Sequence, residues 1–318
     1  MKITVIGAGR WGSLITWYLD KLHHDVTLYG PESTPHMQAF IKTRKNDLLE
    51  LPESVKLCTN LETALRSDVI IISINSQGLQ GLFDEIKPFA LKGKTFVLCM
   101  KGIEISTGRR LSQIAEDNVG KENKVAVWIG PGHVQEFYKG VPNCMVIDSR
   151  HNDVKKLLVD SFSSSLIRFY YGDDLIGNEI GAAAKNVIGI AAGMLDGLKL
   201  SSLKGALMAR GTREVARLIK VLGGNELSAY GLCHLGDYEA TVFSTHSHNR
   251  RFGEAFILNE KFDSLAEGYY TADAIKRLAE KHGVEMPICQ TVYNILYENK
   301  DAMEELDKLF NRDLTKEF

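Results

Sequence analysis

Several features that would each announce a class of protein are missing from this sequence of 318 residues. No uninterrupted apolar run reaches the ~18 residues that suggest a membrane span. The longest candidate, Ile180 to Met194, is broken by Lys185 and Asn186. No charge of one sign dominates: 38 Lys and Arg against 40 Asp and Glu leave a formal net charge of −2. There is thus no global basic field, and nucleic acid is not an expected partner, although a local basic pocket for a small anion stays open. The five cysteines, Cys58, Cys99, Cys144, Cys233 and Cys289, are widely spaced and contain no C-x-x-C pair. Cys99 and Cys144 lie in apolar strand-like runs and read as reduced, buried thiols, which fits a reducing compartment. The first strand meets a glycine turn at Gly7, leaving no room for the apolar region of a signal peptide. The expected location is the cytoplasm. Internal repeats and low-complexity stretches are also lacking.

The length exceeds the ~250–300 residues at which single cores stop growing, so two domains are expected. With 44% hydrophobic and 25% charged residues, both are expected to be ordinary globular units. Lys2–Ile6 is a short β-branched strand, Trp11–Leu22 has helical apolar spacing, and Val26–Tyr29 reads as the next strand. Further strand-like runs are Val69–Ile74, Thr95–Met100, Val125–Ile129, Cys144–Ile147 and Ile167–Tyr170. Leu61–Leu65, Leu79–Ile86 and Gly108–Glu116 look helical between them. This alternation predicts a mostly parallel sheet covered on both faces. From Glu179 onward the patterns are helical: Ile180–Asp196, Lys204–Leu222, Ala272–Lys281 and Ile288–Tyr297. The expected fold is α/β, a Rossmann-type doubly wound domain over 1–177 followed by an all-helical domain over 178–318.

Gly7-Ala8-Gly9-Arg10-Trp11-Gly12 fits G-x-G-x-x-G between a strand and a helix, the context the motif requires. Gly7 permits the tight turn, Gly9 lets the backbone approach a pyrophosphate, Gly12 allows close helix–strand packing, and the helix N-terminus faces the phosphates. The expected cofactor is NAD or NADP. An acid at the end of the second strand would hold a ribose 2′-hydroxyl, and that place reads Tyr29-Gly30-Pro31-Glu32, with Glu32 late. Arg44 and Lys45 could instead meet a 2′-phosphate, or be an ordinary solvated pair.

The stretch from Asn178 to Gly189 is small and apolar all round, which predicts a buried helix, and Lys185 is its only cation. Burial disfavours a charged ammonium, which suits a lysine to proton transfer; a structurally paired lysine is the alternative. Lys101 and Gly130-Pro131-Gly132 follow strands at the carboxyl edge, where parallel sheets put their ligands. Gly236-Asp237 and Ser247-His248-Asn249-Arg250-Arg251 offer a carboxylate and anion-binding groups. His246 and His248 lack the neighbouring carboxylate or cysteine that a metal site needs.

Together these motifs, with Lys101-Gly102-Ile103-Glu104, Gly181 to Val187, Leu235-Gly236-Asp237, Glu267-Gly268-Tyr269 and Gly283 to Pro287, resemble the NAD(P)-dependent glycerol-3-phosphate dehydrogenases over nearly the full length. The resemblance implies reduction of dihydroxyacetone phosphate to sn-glycerol 3-phosphate by a homodimer. It implies Lys185 as the general acid and Lys101 as a contact to substrate and nicotinamide. Asp237, Gly130, Ser247, His248 and Asn249 fall on substrate positions, and Arg10, Trp11, Val134 and Glu267 on cofactor positions. Three positions depart from the family pattern. His248 stands where the family has an arginine, Gly132 where it has a hydroxyl residue, and Asn75 where it has a proline. Losing the arginine removes a planar, permanently charged phosphate clamp. Two other readings follow: a paralogue acting on another 2-ketone, or a catalytically idle NAD(P)-binding protein.

Overall fold

The computed structural model describes every residue except Leu265, Thr315 and Phe318. Its backbone contacts group into two compact units, Met1–Lys101 with Arg109–Leu175, and Gly102–Gly108 with Ile176–Phe318.

The first unit is built on one sheet of eight strands: β1 (Lys2–Ile6), β2 (Asp25–Tyr29), β3 (Lys56–Cys58), β4 (Val69–Ile72), β5 (Thr95–Leu98), β6 (Lys124–Ile129), β7 (Asn143–Asp148) and β8 (Ile167–Tyr171). Their order is β3-β2-β1-β4-β5-β6-β7-β8, with only the β6–β7 pair antiparallel. Parallel strands covered on both faces need continuous apolar runs, and in β4 all four residues of Val69-Ile70-Ile71-Ile72 are buried. The helices are α1 (Arg10–Lys21), α2 (Pro35–Thr43), α3 (Leu61–Ala64), α4 (Leu79–Ile86), α5 (Leu111–Val119), α6 (Val134–Tyr138) and α7 (Asn152–Phe162). From β1 the chain runs to β2 on one side and returns through β4 on the other. That switch point is where open α/β sheets receive ligands, and the Gly7–Gly12 turn sits on it. This is the doubly wound α/β architecture expected from the sequence.

Several details differ. β3, α2 and α6 carry no period long enough to read, whereas α7 is missing from the expected elements although its buried Val154, Leu158 and Phe162 recur at i, i+4 and i+8. The helix expected over 108–116 begins only at Leu111, because Gly108, in the left-handed region at φ +71°, ends a segment that packs elsewhere. Cys144, expected to be buried, is half-buried on β7, while Cys99 is buried, and all five thiols are free.

The second unit is helical: α8 (Leu175–Gly197), α9 (Lys204–Val221), α10 (His248–Ile257), α11 (Glu267–His282), α12 (Pro287–Tyr297) and α13 (Ala302–Phe310). Between α9 and α10 run short 3-10 turns at Glu226–Tyr230 and Leu235–Asp237 and a π-helical turn at Glu239–Phe243. The small residues of α8 let neighbours approach to backbone contact. A Cβ on Gly193 would stand 1.8 Å from the Arg250 carbonyl oxygen, and one on Gly253 2.1 Å from that of Ile190. The segment Gly102–Gly108 delivers Ile103, fully buried, into the same core as Ile180, Val215 and Ile275. Among the described residues no helix is long and apolar enough to cross a membrane.

Candidate active site

In the first unit, the three motif glycines differ in what surrounds them. Gly7 has φ +115°, a conformation cheap only for glycine, and a Cβ there would stand 2.2 Å from the Ser73 carbonyl oxygen. A Cβ on Gly12 would lie 1.9 Å from the Gly7 carbonyl oxygen. Gly9 is different, because a Cβ there would meet nothing within 4 Å. It precedes α1, whose first turn receives no side-chain cap, so space is kept open above a helix N-terminus, as a pyrophosphate requires. Arg10 and Trp11 open α1. Trp11 packs on Phe137, ring centroids 6.1 Å apart, and Val134, buried at the start of α6, joins the same apolar cluster.

Lys101 follows β5 and its Nζ donates to the Gly130 carbonyl at 2.7 Å, so two expected substrate residues meet at the carboxyl edge of the sheet. Gly132 has φ +151°, and a Cβ there would lie 2.2 Å from the Phe137 ring. Its departure from the family pattern is therefore locked in by packing. Asn75 also has a local task, its side chain accepting the Gln77 amide at 2.8 Å. Of the groups weighed for a 2′-phosphate, Arg44 donates to the carbonyls of Leu51, Pro52 and Val55, and Lys45 pairs with Glu50 at 3.0 Å. Both are engaged by their own loop.

In the second unit, α8 presents Lys185, 7% exposed, to Asp237, 1% exposed. Lys185 Nζ lies 2.8 Å from Asp237 Oδ2 and donates to Thr241 Oγ1 at 2.8 Å. Thr241 in turn donates to the Asp237 backbone carbonyl at 2.7 Å. The carboxylate supplies the counter-charge that a buried ammonium requires. The turn carrying Asp237 is pinned to α8 by His234, whose Nδ1 lies 2.8 Å from the Gly181 carbonyl and whose Nε2 lies 2.7 Å from the Tyr238 hydroxyl. Burial holds the His234 imidazole down at about 4, with the nearby Lys185 charge acting in the same direction. His234 is therefore neutral, donating through Nδ1 and accepting at Nε2.

Ser247 caps α10, accepting the Arg250 amide at 3.3 Å. His248 is the first helical residue, half-buried, its ring 6.4 Å from that of Phe262. Asn249 donates to Asn186 Oδ1 at 3.0 Å and accepts the Gly268 amide at 2.9 Å. It thereby joins α8, beside Lys185, to the first turn of α11, which Glu267 opens. Arg250 cannot take over an anion, because Asp196 holds its guanidinium at 2.6 Å and Glu254 at 3.0 Å. Burial raises the Asp196 carboxyl, but bonds from Lys204, Ser201 and Arg250 outweigh this and leave it below its ordinary value.

The sequence reading missed His234, Thr241 and Asn186. Thr241 has a local signal, a hydroxyl four residues after Asp237 and able to bond back to its carbonyl. That signal means something only once the segment is known to turn helically, and it has no apolar period.

The chain matches the description NAD-dependent glycerol-3-phosphate dehydrogenase N-terminus over residues 2–155 and the corresponding C-terminus over residues 174–307. It is 34% identical over 327 residues to a glycerol-3-phosphate dehydrogenase (NAD(P)+) of Fusobacterium nucleatum, covering 98% of this chain and 97% of that protein. It is 35% identical over 326 residues to the protein of the same description from an Exiguobacterium species, covering 98% and 95%. Among solved structures, the glycerol-3-phosphate dehydrogenase of Coxiella burnetii superposes with a TM-score of 0.90 at 30% identity, covering 98% of this chain and 99% of that one. On these matches, and with its motifs placed as described, the chain belongs to the NAD-dependent glycerol-3-phosphate dehydrogenase family.

Proposed function

We propose that the chain reduces dihydroxyacetone phosphate to sn-glycerol 3-phosphate with NADH or NADPH, and that Lys185 is the proton donor. The observation that carries this reading is the buried Lys185–Asp237 pair, 2.8 Å apart, in a member of this family. The bound dinucleotide supplies the hydride that turns the substrate carbonyl oxygen into a developing alkoxide. Lys185 Nζ gives that oxygen its proton, and the Lys101 ammonium offsets its charge. Asp237 holds Lys185 in place and accepts from the substrate hydroxyl. Gly7, Gly9 and Gly12 shape the cofactor turn, to which Arg10, Trp11, Val134, Lys101 and Glu267 add contacts. Gly130, Ser247, His248 and Asn249 receive the substrate, with the amides opening α10 facing its phosphate. The setting inferred with this reading is the cytoplasm, from a cysteine pattern that fits a reducing compartment, and the inferred assembly is a homodimer, from the family resemblance.

One observation favours a second reading, in which the ketone carries a different head group. His248 replaces the arginine fork, and Arg250 is held by Asp196 and Glu254. The test is oxidation of NADH and of NADPH against a panel of phosphorylated and unphosphorylated ketones, with Lys185→Ala in parallel. Turnover of dihydroxyacetone phosphate that depends on Lys185 supports the first reading. Preference for an unphosphorylated ketone establishes the second. Turnover unaffected by Lys185→Ala removes that residue from the chemistry.

A further inference from the structure

Asp196 stands in the last turn of α8 (Leu175–Gly197), where a negative charge opposes the helix dipole and weakens the helix itself. Its carboxylate is nevertheless engaged on both oxygens. Oδ2 accepts Lys204 Nζ at 2.7 Å and Arg250 Nη1 at 2.6 Å, and Oδ1 accepts the Ser201 hydroxyl at 2.6 Å. Lys204 and Arg250 are buried and the Asp196 side chain is 12% exposed, so salt does little to screen the pairing. None of these four residues is among those assigned above to cofactor or substrate.

Each cation carries a second bond, and both go to the segment that joins the proton-donor side of the site to its substrate side. Lys204 Nζ also donates to the Val242 carbonyl at 3.1 Å, next to Thr241, whose hydroxyl accepts from Lys185. Arg250 Nε also donates to the Ser244 carbonyl at 3.1 Å, the same oxygen that receives the Ser247 amide at 3.3 Å. Ser247 caps α10, and His248 and Asn249 open it. Residues 241–247 are therefore tethered at two points to a single carboxylate. Helix α8 sets the spacing. The eleven residues from Lys185 to Asp196 carry it through about three turns, so both face one way, roughly 16 Å apart along the axis.

We infer that Asp196 is a positioning residue for the reaction, holding Thr241 against Lys185 through Lys204 and holding the Ser247–Asn249 end of α10 through Arg250. The inference rests on the roles proposed above for Lys185 and for Ser247, His248 and Asn249. The two arms are separable, because removing one cation leaves Asp196 with the other. Lys204→Met loosens the Thr241 side and lowers kcat by about 10- to 100-fold, the scale on which misplacing a reacting group acts, with KM near wild type. Arg250→Met loosens the α10 side and raises KM for dihydroxyacetone phosphate by roughly tenfold with kcat unchanged, the mark of binding lost equally from ground and transition states. Asp196→Asn does both. Arg250→Lys keeps the charge, loses the Nε donor to Ser244, and raises KM in the same direction; it stands in if Arg250→Met does not fold, as Lys204→Gln does for the other arm. Steady-state NADH oxidation gives both constants, with kcat corrected for the folded fraction read by circular dichroism at the assay temperature. A purely structural hub lowers the folded fraction and leaves KM and the corrected kcat unchanged, and that result overturns the inference. So do single-arm variants in which kcat and KM change alike. If the wild type does not turn over dihydroxyacetone phosphate, the proposed substrate is wrong, and the same constants are measured with the ketone that it does turn over. If Lys185→Ala keeps its turnover, the proton-donor assignment falls, and KM in Arg250→Met and Asp196→Asn alone decides the inference.

Discussion

Removing the Lys185 ammonium should damage the protein in two separable ways. As a positioned acid it is worth about 10²–10⁴ in turnover, or roughly 2.7–5.4 kcal/mol of barrier. It is also one half of a buried pair, facing an Asp237 that is 1% exposed. Breaking such a pair from one side costs about 3–5 kcal/mol, because it strands a buried charge. In a unit of this size that is a fall in melting temperature of roughly 6–20 °C. Replacing both partners by neutral groups removes the stranded charge and should recover most of the stability, but none of the chemistry. The measurement compares wild type, Lys185→Met and Lys185→Met/Asp237→Asn by thermal unfolding and by single-turnover NADH oxidation with saturating ketone. The single variant should be both unstable and slow, and the double variant stable and slow. The loss should fall on kcat with KM little changed if the group acts only in the transition state. A double variant that regained turnover together with its melting temperature would show that the lysine is structural and that the proton comes from elsewhere.

Gly9→Val should abolish NADH binding by calorimetry while leaving the melting temperature within a degree or so of wild type, because nothing lies within 4 Å of the added Cβ; retained affinity would remove the pyrophosphate from this turn. His234 makes stability depend on pH. The unfolded chain takes up its proton near 6.5 and the folded protein only at about 4, so stability is full above 6.5 and about 3 kcal/mol is lost as pH falls to 4. His234→Gln should flatten that slope in urea unfolding across the window, and an unaltered slope would assign the loss to other groups. His248→Arg should lower KM for dihydroxyacetone phosphate by roughly tenfold, the worth of one charge-assisted hydrogen bond; no gain would mean that this position does not face the anionic end.

What could be read in the sequence was what had a period or a motif. The β1–α1–β2 unit announces itself through Gly7, Gly9 and Gly12, and α8 through a run of small apolar residues with one lysine. Strand β3 could not be read, since Lys56-Leu57-Cys58 is three residues long and nowhere fully buried. Helix α7 begins after His151, whose side chain makes no cap, so its start carried no mark. Helix α13 did carry one: Asp301 accepts the Met303 and Glu304 amides. In the site, Lys185 stood out by its chemistry, but Thr241 and His234 come from short turns without periodicity. Gly132 reads in the sequence as a lost hydroxyl. Only the position of Phe137 shows that any side chain there would collide.

The placement of Gly102–Gly108 has a consequence for how the protein is made. The helical core from Ile176 onward includes Ile103, a residue synthesised long before the helices that surround it. While the ribosome extends the first unit, that short segment must wait with its apolar side chain unburied. The core closes only when α8, α9 and α11 have emerged and captured it. Contacts so distant in sequence raise the contact order and slow folding. They also leave the chain unevenly divided at its apparent seam. Expressed alone, residues 178–318 would lack a fully buried part of their own interior, while residues 1–177 would carry it as an exposed apolar loop. The 178–318 fragment should then be less stable alone and gain stability when residues 1–177 are added, while the 1–177 fragment, whose own core does not include Ile103, should fold by itself.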